Sequence, residues 1–310
     1  MAKEILFGID LGGTKIEGTV IRYDASKPHM LETISRIRIP TEKEKGYQHI
    51  INQIKELTLQ LEEASGEQIK HLGIGTPGAI DPTSQLMKNS NTTCLNGRPF
   101  HKDLQTALGY HLVMANDANC FALAETKLGI VQEKLPDANV VFGVIMGTGV
   151  GGGVVVEGKV IHGKHGIGGE WGHNFLHESG GDCYCGKIGC VETILSGTGL
   201  QKYYFEKTGK KIPLKEIYQK YVDKQDEFAI ATIKRLINYF GKGLASIINI
   251  LDPDAIVLGG GVGNIPELYT AGKEAIKEHI FNPDLQTAIL QPNLGDSAGV
   301  FGAALLTRNH

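Results

Sequence analysis

The segment 169–192 concentrates side chains that bind metals, because it holds three of the chain's five cysteines together with a histidine. Cys183, Cys185 and Cys190 follow the spacing Cys-x-Cys-x4-Cys, and His173 stands ten positions before the first of them. Three thiolates and one imidazole form a ligand set that suits tetrahedral zinc. A site closed by four protein ligands has no position for water, so we expect this zinc to fix the shape of the loop rather than to carry out chemistry.

A disulfide is the alternative interpretation of these cysteines. Cys183 and Cys185 are separated by a single residue, so a bridge between them would be heavily strained, and three thiols cannot all pair within the segment. Glu170 and Glu192 lie beside the ligands. They are the groups that a zinc-held loop would present.

Glycine-rich turns follow three apolar stretches of the chain, at 10–15 (DLGGTK), 147–153 (GTGVGGG) and 259–264 (GGGVGN). Glycine lets backbone N–H groups come close to phosphate oxygens, and Thr14, Lys15 and Thr148 add side-chain donors. Any one of these turns alone could be a plain hairpin. Together they predict a nucleotide-binding protein.

The second turn also fits the dinucleotide pattern G-x-G-x-x-G, with Gly147, Gly149 and Gly152. That fingerprint requires a helix after the turn, so that the helix N-terminus points at the pyrophosphate. The valines at 154–156 predict a strand there instead. The Walker pattern G-x4-G-K-[ST] does not occur in the sequence, so neither of these two common phosphate-binding arrangements is expected.

Asp10 stands at the end of a hydrophobic stretch, immediately before the first glycine turn. A carboxylate in that position can hold Mg2+, directly or through water, against nucleotide phosphates. The alternative is an aspartate that only caps the turn.

The elements that would position these groups form a repeated unit. Residues 7–12 and 142–147 resemble each other, and each stretch continues through glycine into a second predicted strand, at 15–23 and 152–161. The match is short enough to arise by chance. It nevertheless indicates two similarly built halves.

Strands and helices alternate along the rest of the chain. Apolar spacing predicts helices at 44–64, after Asp117, at about 225–251 and at 297–307, and strands at 71–76, 110–115 and 255–258. Asp252 and Pro253 are expected to end the longest helix. Gly241 and Gly243 lie inside that helix and indicate that another helix packs closely against it there. The alternation predicts an α/β protein.

The composition is that of a two-domain enzyme. With 310 residues and 41% hydrophobic content, the chain can bury a sizeable core. A net charge of −3 with interspersed charges is unlike a nucleic-acid binder. The apolar run at the N-terminus is too short for a signal peptide, so a cytoplasmic location is expected. The uncharged stretch 138–156 has the length of a membrane span, but its glycines and valines predict two buried strands joined by a turn.

The motifs together resemble the ROK family of sugar kinases and related repressors, nearly from end to end. The motifs that carry this resemblance are the segments 10–15, 147–153 and 183–192, together with Asn-Asp-Ala-Asn at 116–119 and Glu-x-Gly-His at 170–173. The resemblance implies an actin-like, ribonuclease-H-related duplicated α/β fold with a ligand cleft between its domains. On that fold the domains are expected at 1–117 with 297–310, and at 118–296 with the zinc loop.

The resemblance also implies roles for individual residues in an ATP-dependent kinase. Asp117 resembles the family's general base, which accepts a proton from the 6-hydroxyl of the sugar. The expected sugar ligands are Gly78, Asn96, Asn116, Asp117, Glu170, His173 and Glu192. The expected ATP-binding residues are Gly8, Asp10, Gly12, Gly13, Thr14, Lys15, Gly147, Thr148, Gly149, Gly260 and Gly261. Asp10 is expected to hold Mg2+, and the zinc ligands are those named above.

Each of these roles has a plainer alternative. Asp117 could be the N-cap of the helix that follows it, and Gly78 follows a proline as in an ordinary turn. His173 could be a structural ligand only. In the other interpretation, one of its ring nitrogens binds zinc and the other donates to a sugar hydroxyl.

Residues 88–97, 169–174, 183–200 and 249–264 resemble bacterial fructokinases of this family most. Fructose is therefore the expected substrate. Kinases of mannose, glucose, N-acetylglucosamine or N-acetylmannosamine remain alternatives, because the expected ligands contact hydroxyls that these sugars share. A sugar-sensing repressor is not expected, because the first strand starts at about Ile5 and leaves no room for a helix-turn-helix. A non-catalytic sugar-binding protein is a further alternative, and the resemblance and the glycines of the long helix favour a homodimer.

Overall fold

The computed structural model of the protein describes residues 3–24, 26 and 31–309. Strands and helices alternate along most of this length, as expected. The strands are β1 (Glu4–Leu11), β2 (Lys15–Tyr23), β3 (Glu32–Pro40), β4 (His71–Thr76), β5 (Ala79–Ile80), β6 (Met87–Lys88), β7 (His111–Asn116), β8 (Val140–Met146), β9 (Val150–Val156), β10 (Lys159–Val160), β11 (Ala255–Gly259) and β12 (Ala288–Leu290).

The helices are α1 (Tyr47–Ser65), α2 (Phe100–Leu108), α3 (Asp117–Lys127), α4 (Ile130–Lys134), α5 (Val191–Leu195), α6 (Gly197–Thr208), α7 (Leu214–Val222), α8 (Glu227–Leu251), α9 (Gly260–Gly263), α10 (Ala271–Lys277) and α11 (Ala298–Leu306). The four helices that apolar spacing predicts are present as α1, α3, α8 and α11, and further helices that the sequence did not predict lie between them. Asp226 caps α8 by accepting from the backbone N–H of Phe228 at 2.9 Å. The helix ends at Asp252, in the left-handed region with φ of 45°, just before Pro253.

Two larger sheets have matching strand orders. The first runs β3-β2-β1-β4-β7 and the second β10-β9-β8-β11-β12, so that β1 and β8 occupy equivalent central positions. β1 pairs in parallel with β4, and β8 pairs in parallel with β11. The predicted repeat of a strand, a glycine turn and a strand is therefore confirmed.

One predicted strand is divided in the structure. The expected strand 152–161 is the two strands β9 and β10, because Glu157 and Gly158 form a turn in which both have positive φ, 50° and 71°. The uncharged stretch 138–156 forms β8, the glycine turn and β9, as predicted. In the part of the chain that the structure describes, no helix is long and apolar enough to cross a membrane.

The chain divides into two compact units. The first comprises Met1–Ala138, Gly153–Gly169 and Asn293–His310, and the second comprises Asn139–Gly152 and Glu170–Pro292. This division differs from the expected boundaries, because 118–138 and 153–169 lie in the first unit. The physical reason is that α3 packs against α11 and against Gly153, both in that unit.

Helix α11 packs tightly on the first sheet through glycines. A side chain at Gly8 of β1 would come within 2.5 Å of the Val300 carbonyl oxygen, and one at Gly73 of β4 would overlap the Ala303 carbonyl. The contact with α3 is similarly close, since a side chain at Gly302 would overlap the Cys120 carbonyl. The buried face of the sheet therefore needs residues from both ends of the chain.

The glycines of α8 have partners within the second unit. A side chain at Gly241 would lie 2.5 Å from the backbone of Ala275 in α10, and one at Gly243 would lie 2.9 Å from the ring of Trp171. The predicted close helix contact is thus present inside the chain. These glycines consequently give no support to the expected homodimer, which stays a prediction.

Candidate active site

The first glycine turn joins β1 to β2 and is closed by backbone contacts. The N–H of Gly12 donates to the Lys15 carbonyl at 3.0 Å, and the Thr41 hydroxyl donates to the Gly12 carbonyl at 2.7 Å. Gly13 faces two side chains, since a methyl group there would lie 3.7 Å from Lys43 Nζ and 3.9 Å from the Thr92 hydroxyl oxygen. Thr14 lies in the same turn, and its carbonyl accepts from Thr41 N–H at 3.0 Å. Gly8, by contrast, has a packing role under α11 that explains its lack of a side chain.

Asp10 lies near the end of β1, half-buried against the start of α11. A side chain at Gly299 would lie 2.9 Å from its Oδ2 atom. Burial raises the pKa of Asp10 to about 7, and the negative charges of Asp117 and Glu17 add to the rise, while Lys15 opposes it. A divalent cation would favour the ionised form of such a carboxylate, so Asp10 fits the expected magnesium ligand.

Glu17 is a buried carboxylate that holds two arginines of β3. Arg38 donates to it at 2.7 Å, Arg36 donates to its other oxygen, and Lys15 lies 3.7 Å from it. Burial alone would raise the pKa of Glu17, but the hydrogen bonds from Arg36 and Arg38 outweigh burial and lower it. Lys15 therefore has a carboxylate neighbour, in addition to its expected role toward phosphate.

Asp117 is the first residue of α3 and is open to solvent. The N-cap of that helix is Asn116, whose Oδ1 accepts from the N–H of Asn119 at 2.8 Å. The Asp117 carboxylate accepts from the N–H of its neighbour Ala118 at 2.8 Å. Desolvation by the surrounding protein raises the pKa of Asp117. The N-cap role considered for Asp117 thus belongs to Asn116.

Gly78 lies between β4 and β5 and packs against the end of β6, and Asn96 shapes the loop that leads from β6 to α2. A side chain at Gly78 would lie 2.6 Å from the Lys88 carbonyl oxygen. Asn96 accepts from Ser90 N–H at 2.8 Å and donates to the Ser90 carbonyl at 2.9 Å. Both residues have local structural roles, and their contacts with a sugar remain predictions.

In the second unit, Glu192 connects the metal-binding segment to the second glycine turn. Its Oε2 atom accepts from Val150 N–H at 2.9 Å, and a side chain at Gly149 would overlap the same carboxylate. Gly147 donates to the Gly149 carbonyl at 2.9 Å, and Thr148 is exposed between them. The carboxylate of Glu192 therefore positions the second glycine turn against the segment 169–192.

The third glycine turn follows β11 and passes directly into the short helix α9. Gly260 has φ of 78° and leaves no space for a side chain beside the Met146 backbone, whereas Gly261 faces open space. The absence of a side chain at Gly260 is thus explained by contact with the end of β8.

The four expected zinc ligands come together in the second unit. The ligand atoms of His173, Cys183, Cys185 and Cys190 all lie within 4.8 Å of one another. Cys185 Sγ lies 3.6 Å from Cys190 Sγ, and Cys183 Sγ lies 3.7 Å from His173 Nδ1. Tetrahedral zinc with bonds of 2.0 to 2.3 Å separates its ligands by about 3.3 to 3.8 Å. The cysteines are free thiols rather than a disulfide, so the spacing and the donor set fit zinc.

His173 makes a second contact that the sequence did not predict. With Nδ1 toward Cys183, its Nε2 atom lies 2.9 Å from the hydroxyl of Tyr184, a side chain that is 77% exposed. The only signal for Tyr184 in the sequence is its place between two metal-binding cysteines.

Glu170 lies half-buried at the start of the turn Trp171–His173. Trp171 is buried and packs edge-on against Phe142 of β8, with ring centroids 6.1 Å apart. The expected sugar ligands of this unit, Glu170, His173 and Glu192, thus lie on one segment that is anchored to the second sheet.

Comparisons with known proteins match nearly the whole chain. The model of the ROK family matches residues 6–310. An N-acetyl-D-glucosamine kinase of Histophilus somni is 36% identical over 311 residues, covering 97% of this chain and 98% of the relative. A protein of the same name from Pasteurella multocida is 34% identical, with the same coverage.

Solved structures share the fold. A ROK hexokinase from Thermus thermophilus superposes with a TM-score of 0.85 at 32% identity, covering 98% of this chain and 97% of the other. A ROK family glucokinase from Streptomyces griseus, in complex with glucose and AMPPNP, has a TM-score of 0.77 at 26% identity and covers 99% and 100%. The expected actin-like α/β fold is confirmed.

Proposed function

The chain belongs to the ROK family, and from that premise we propose that it is an ATP-dependent hexose kinase. The reaction transfers the γ-phosphoryl group of ATP to the 6-hydroxyl of a hexose. The names of the relatives, which are kinases of N-acetylglucosamine, glucose or hexoses, support this class of activity.

The observation that carries the proposal is a pair of carboxylates in the first unit. Asp10 lies near the end of β1 and Asp117 directly follows β7, in the same sheet. The charge of Asp117 contributes to the raised pKa of Asp10, so the two groups influence each other. Phosphoryl transfer needs two such groups, one to hold a cation against the phosphates and one to accept a proton.

In the proposed reaction, Asp117 accepts the proton of the 6-hydroxyl while that oxygen forms a bond to the γ-phosphorus. The bond between this phosphorus and the oxygen bridging to the β-phosphate breaks, and ADP leaves. A raised pKa makes Asp117 a stronger base than a free aspartate. Mg2+, when bound, neutralises charge on the phosphates. Gly12, Gly13, Thr14 and Lys15 offer donors for the remaining phosphate oxygens.

The zinc proposed for His173, Cys183, Cys185 and Cys190 has a structural role. Its four ligands come from one segment, which also carries Glu170 and Glu192. A closed tetrahedral site would hold these carboxylates in position to accept hydrogen bonds from sugar hydroxyls.

The identity of the sugar has two candidates. The resemblance of 88–97 and 249–264 to fructokinases favours fructose, whereas the curated relatives are N-acetyl-D-glucosamine kinases. The fructose preference therefore remains a prediction, and N-acetylglucosamine is the candidate that the relatives favour.

A panel of ATP-dependent assays tests the proposal. Purified protein with Mg-ATP is given fructose, N-acetylglucosamine, mannose, glucose or N-acetylmannosamine, and the sugar 6-phosphate is identified by mass spectrometry and NMR. We expect at least one hexose to be phosphorylated, and the ratio of kcat/KM values to rank fructose against N-acetylglucosamine. Protein that binds ATP and still phosphorylates none of these sugars would contradict the proposed activity.

A further inference from the structure

Packing does not explain the absence of a side chain at Gly13 in the first glycine turn. Its φ lies outside the positive region, and a methyl group there would meet other groups only at 3.7 Å and beyond. At Gly12, in contrast, a methyl group would come within 2.9 Å of the Lys15 carbonyl oxygen. The close approach of a ligand to the backbone is a further reason for glycine in a turn. The space over Gly13 is open to such a ligand.

The groups around this space suit an anion. Lys43 Nζ lies 3.7 Å and the Thr92 hydroxyl oxygen 3.9 Å from the position of a methyl group on Gly13. Thr92 is fully buried, whereas Lys43 is exposed, so the space has a closed wall on one side and a cation on the other. Within the residues that the structure describes, the N–H groups of Gly13 and Thr14 donate no hydrogen bond. Two free backbone donors below an ammonium group form a cradle for phosphate oxygens.

The segment that carries Lys43 is fastened to the glycine turn. Just before Lys43, Thr41 donates from its hydroxyl to the Gly12 carbonyl at 2.7 Å and from its N–H to the Thr14 carbonyl at 3.0 Å. The Cys94 thiol lies 3.9 Å from the Lys43 carbonyl oxygen on the other side. The backbone of Lys43 is therefore already in place, and only its side chain has to become ordered when an anion binds.

The ammonium group of Lys43 is also available. The neighbouring carboxylate of Glu42 pairs with Lys45 at 2.7 Å and with His49 at 2.8 Å. Lys43 itself forms no ion pair with any residue in 3–24, 26 and 31–309. Lys15 of the same turn differs, since it lies 3.7 Å from the carboxylate of Glu17. Lys43 is thus the cation at this turn that has no carboxylate to neutralise it within that part of the chain.

We infer that Lys43 Nζ binds a phosphate oxygen of ATP in the space over Gly13. The inference rests on the proposed function, and it adds a nucleotide ligand that lies outside every motif that carries the family resemblance. An ammonium group offers three donors and a compact charge, which suit a phosphate oxygen. Its contact complements the N–H groups of Gly13 and Thr14 from the opposite side of the phosphate.

Nucleotide binding by the Lys43→Ala variant tests the inference. Calorimetric titration with Mg2+ and without sugar measures Kd for ADP and for AMPPNP, which keeps a terminal phosphate. We expect a Kd about 10- to 100-fold weaker for AMPPNP, the effect of losing one hydrogen bond to a charged group. Lys43→Arg keeps the charge and should recover most of the affinity. Lys45→Ala removes a cation from the same short turn, Lys43–Lys45, and is the matched control that should keep the wild-type Kd.

The comparison with ADP identifies the phosphate. A loss for AMPPNP alone places the contact at the γ-phosphate, and an equal loss for both nucleotides places it at the α- or β-phosphate. Lys43→Ala should also raise the KM for MgATP, while the Kd of the sugar stays within about twofold. Gly13→Ala fills the space from below and should weaken AMPPNP binding without lowering the thermal unfolding temperature, because the backbone there accepts a side chain.

An unchanged Kd for AMPPNP in Lys43→Ala overturns the inference, and so does wild-type AMPPNP affinity in Gly13→Ala. An equal loss in Lys45→Ala also overturns it, since the effect would then come from net charge alone. Binding is measured without sugar. A protein whose nucleotide affinity depends on Lys43 but that phosphorylates no hexose therefore contradicts the proposed kinase activity without contradicting this contact.

Discussion

At the residue scale, the N-cap of α3 and the candidate general base are two different residues, Asn116 and Asp117. Asn116 caps α3, so the carboxylate of Asp117 is not engaged in capping the helix. A carboxylate with a raised pKa is suited to act as a general base.

Replacing Asp117 by asparagine should lower kcat by at least about 100-fold, because the isosteric amide cannot accept the proton of the sugar hydroxyl. The Kd of the sugar should change only a few-fold, since the shape of the side chain is kept. Steady-state kinetics and calorimetry measure the two effects. Asp137→Asn, on an exposed loop, is the control, and an Asp117→Asn variant with wild-type kcat would rule out the base assignment.

The sequence predicts residues of this site well where chemistry dictates the residue type. The cysteines and His173 were predicted together, because few tasks other than metal binding need that set, and the structure brings them together. Tyr184 was missed, since a tyrosine serves many structural purposes. Only its contact with His173 Nε2 in three dimensions distinguishes it.

At the scale of elements, β2 and β3 are joined by a charged cluster as well as by their backbone ladder. Glu17 is 1% exposed and accepts hydrogen bonds from Arg36 and Arg38. Such bonds to a buried carboxylate stabilise the fold as long as the carboxylate is ionised.

Glu17→Gln should lower the free energy of unfolding at pH 7 by about 1 to 3 kcal/mol, because bonds from arginine to an ionised group are lost. The pKa of Glu17 is lowered by folding, so its stabilisation is present above the ordinary value of 4.5 and is lost as pH falls through the lower folded value. The difference between variant and wild type should therefore shrink below pH 4.5.

Urea unfolding at pH 7 and at pH 4 measures this difference. Glu32→Gln is the matched control on the same strands, because Glu32 pairs with Arg22 at 2.6 Å in an exposed position. An exposed pair contributes at most about 1 kcal/mol, so the control should change little. Equal losses of unfolding free energy in the two variants at pH 7 would show that the buried pairs of Glu17 stabilise the fold no more than the exposed pair of Glu32.

The segment 169–192 should depend on its metal. Elemental analysis should find about one zinc per chain, and removal of zinc by a chelator should lower the thermal unfolding temperature and weaken sugar binding. Cys185→Ala should do the same because it removes one of four ligands. Cys94→Ala, a half-buried cysteine outside the cluster, should leave zinc content unchanged. Metal-free protein with full sugar affinity would contradict the structural role.

At the scale of the whole molecule, the repeat in the sequence predicted the duplicated fold. Equivalent glycine turns at 10–15 and 147–153 join equivalent strands of two sheets with the same order. The structure places 118–138 in the first unit because α3 packs on α11, a contact between helices far apart in the sequence that local patterns do not show.

The packing of α11 on β1 and β4 also sets an order of events during synthesis. The face of the first sheet that carries Gly8 and Gly73 stays uncovered until Ala298–Leu306 leaves the ribosome. Translation at about 5 to 20 residues per second places roughly 10 to 45 seconds between β4 and α11. The second unit is encoded entirely within that interval. The nascent chain therefore carries the face of β1 and β4 without its α11 cover throughout that interval.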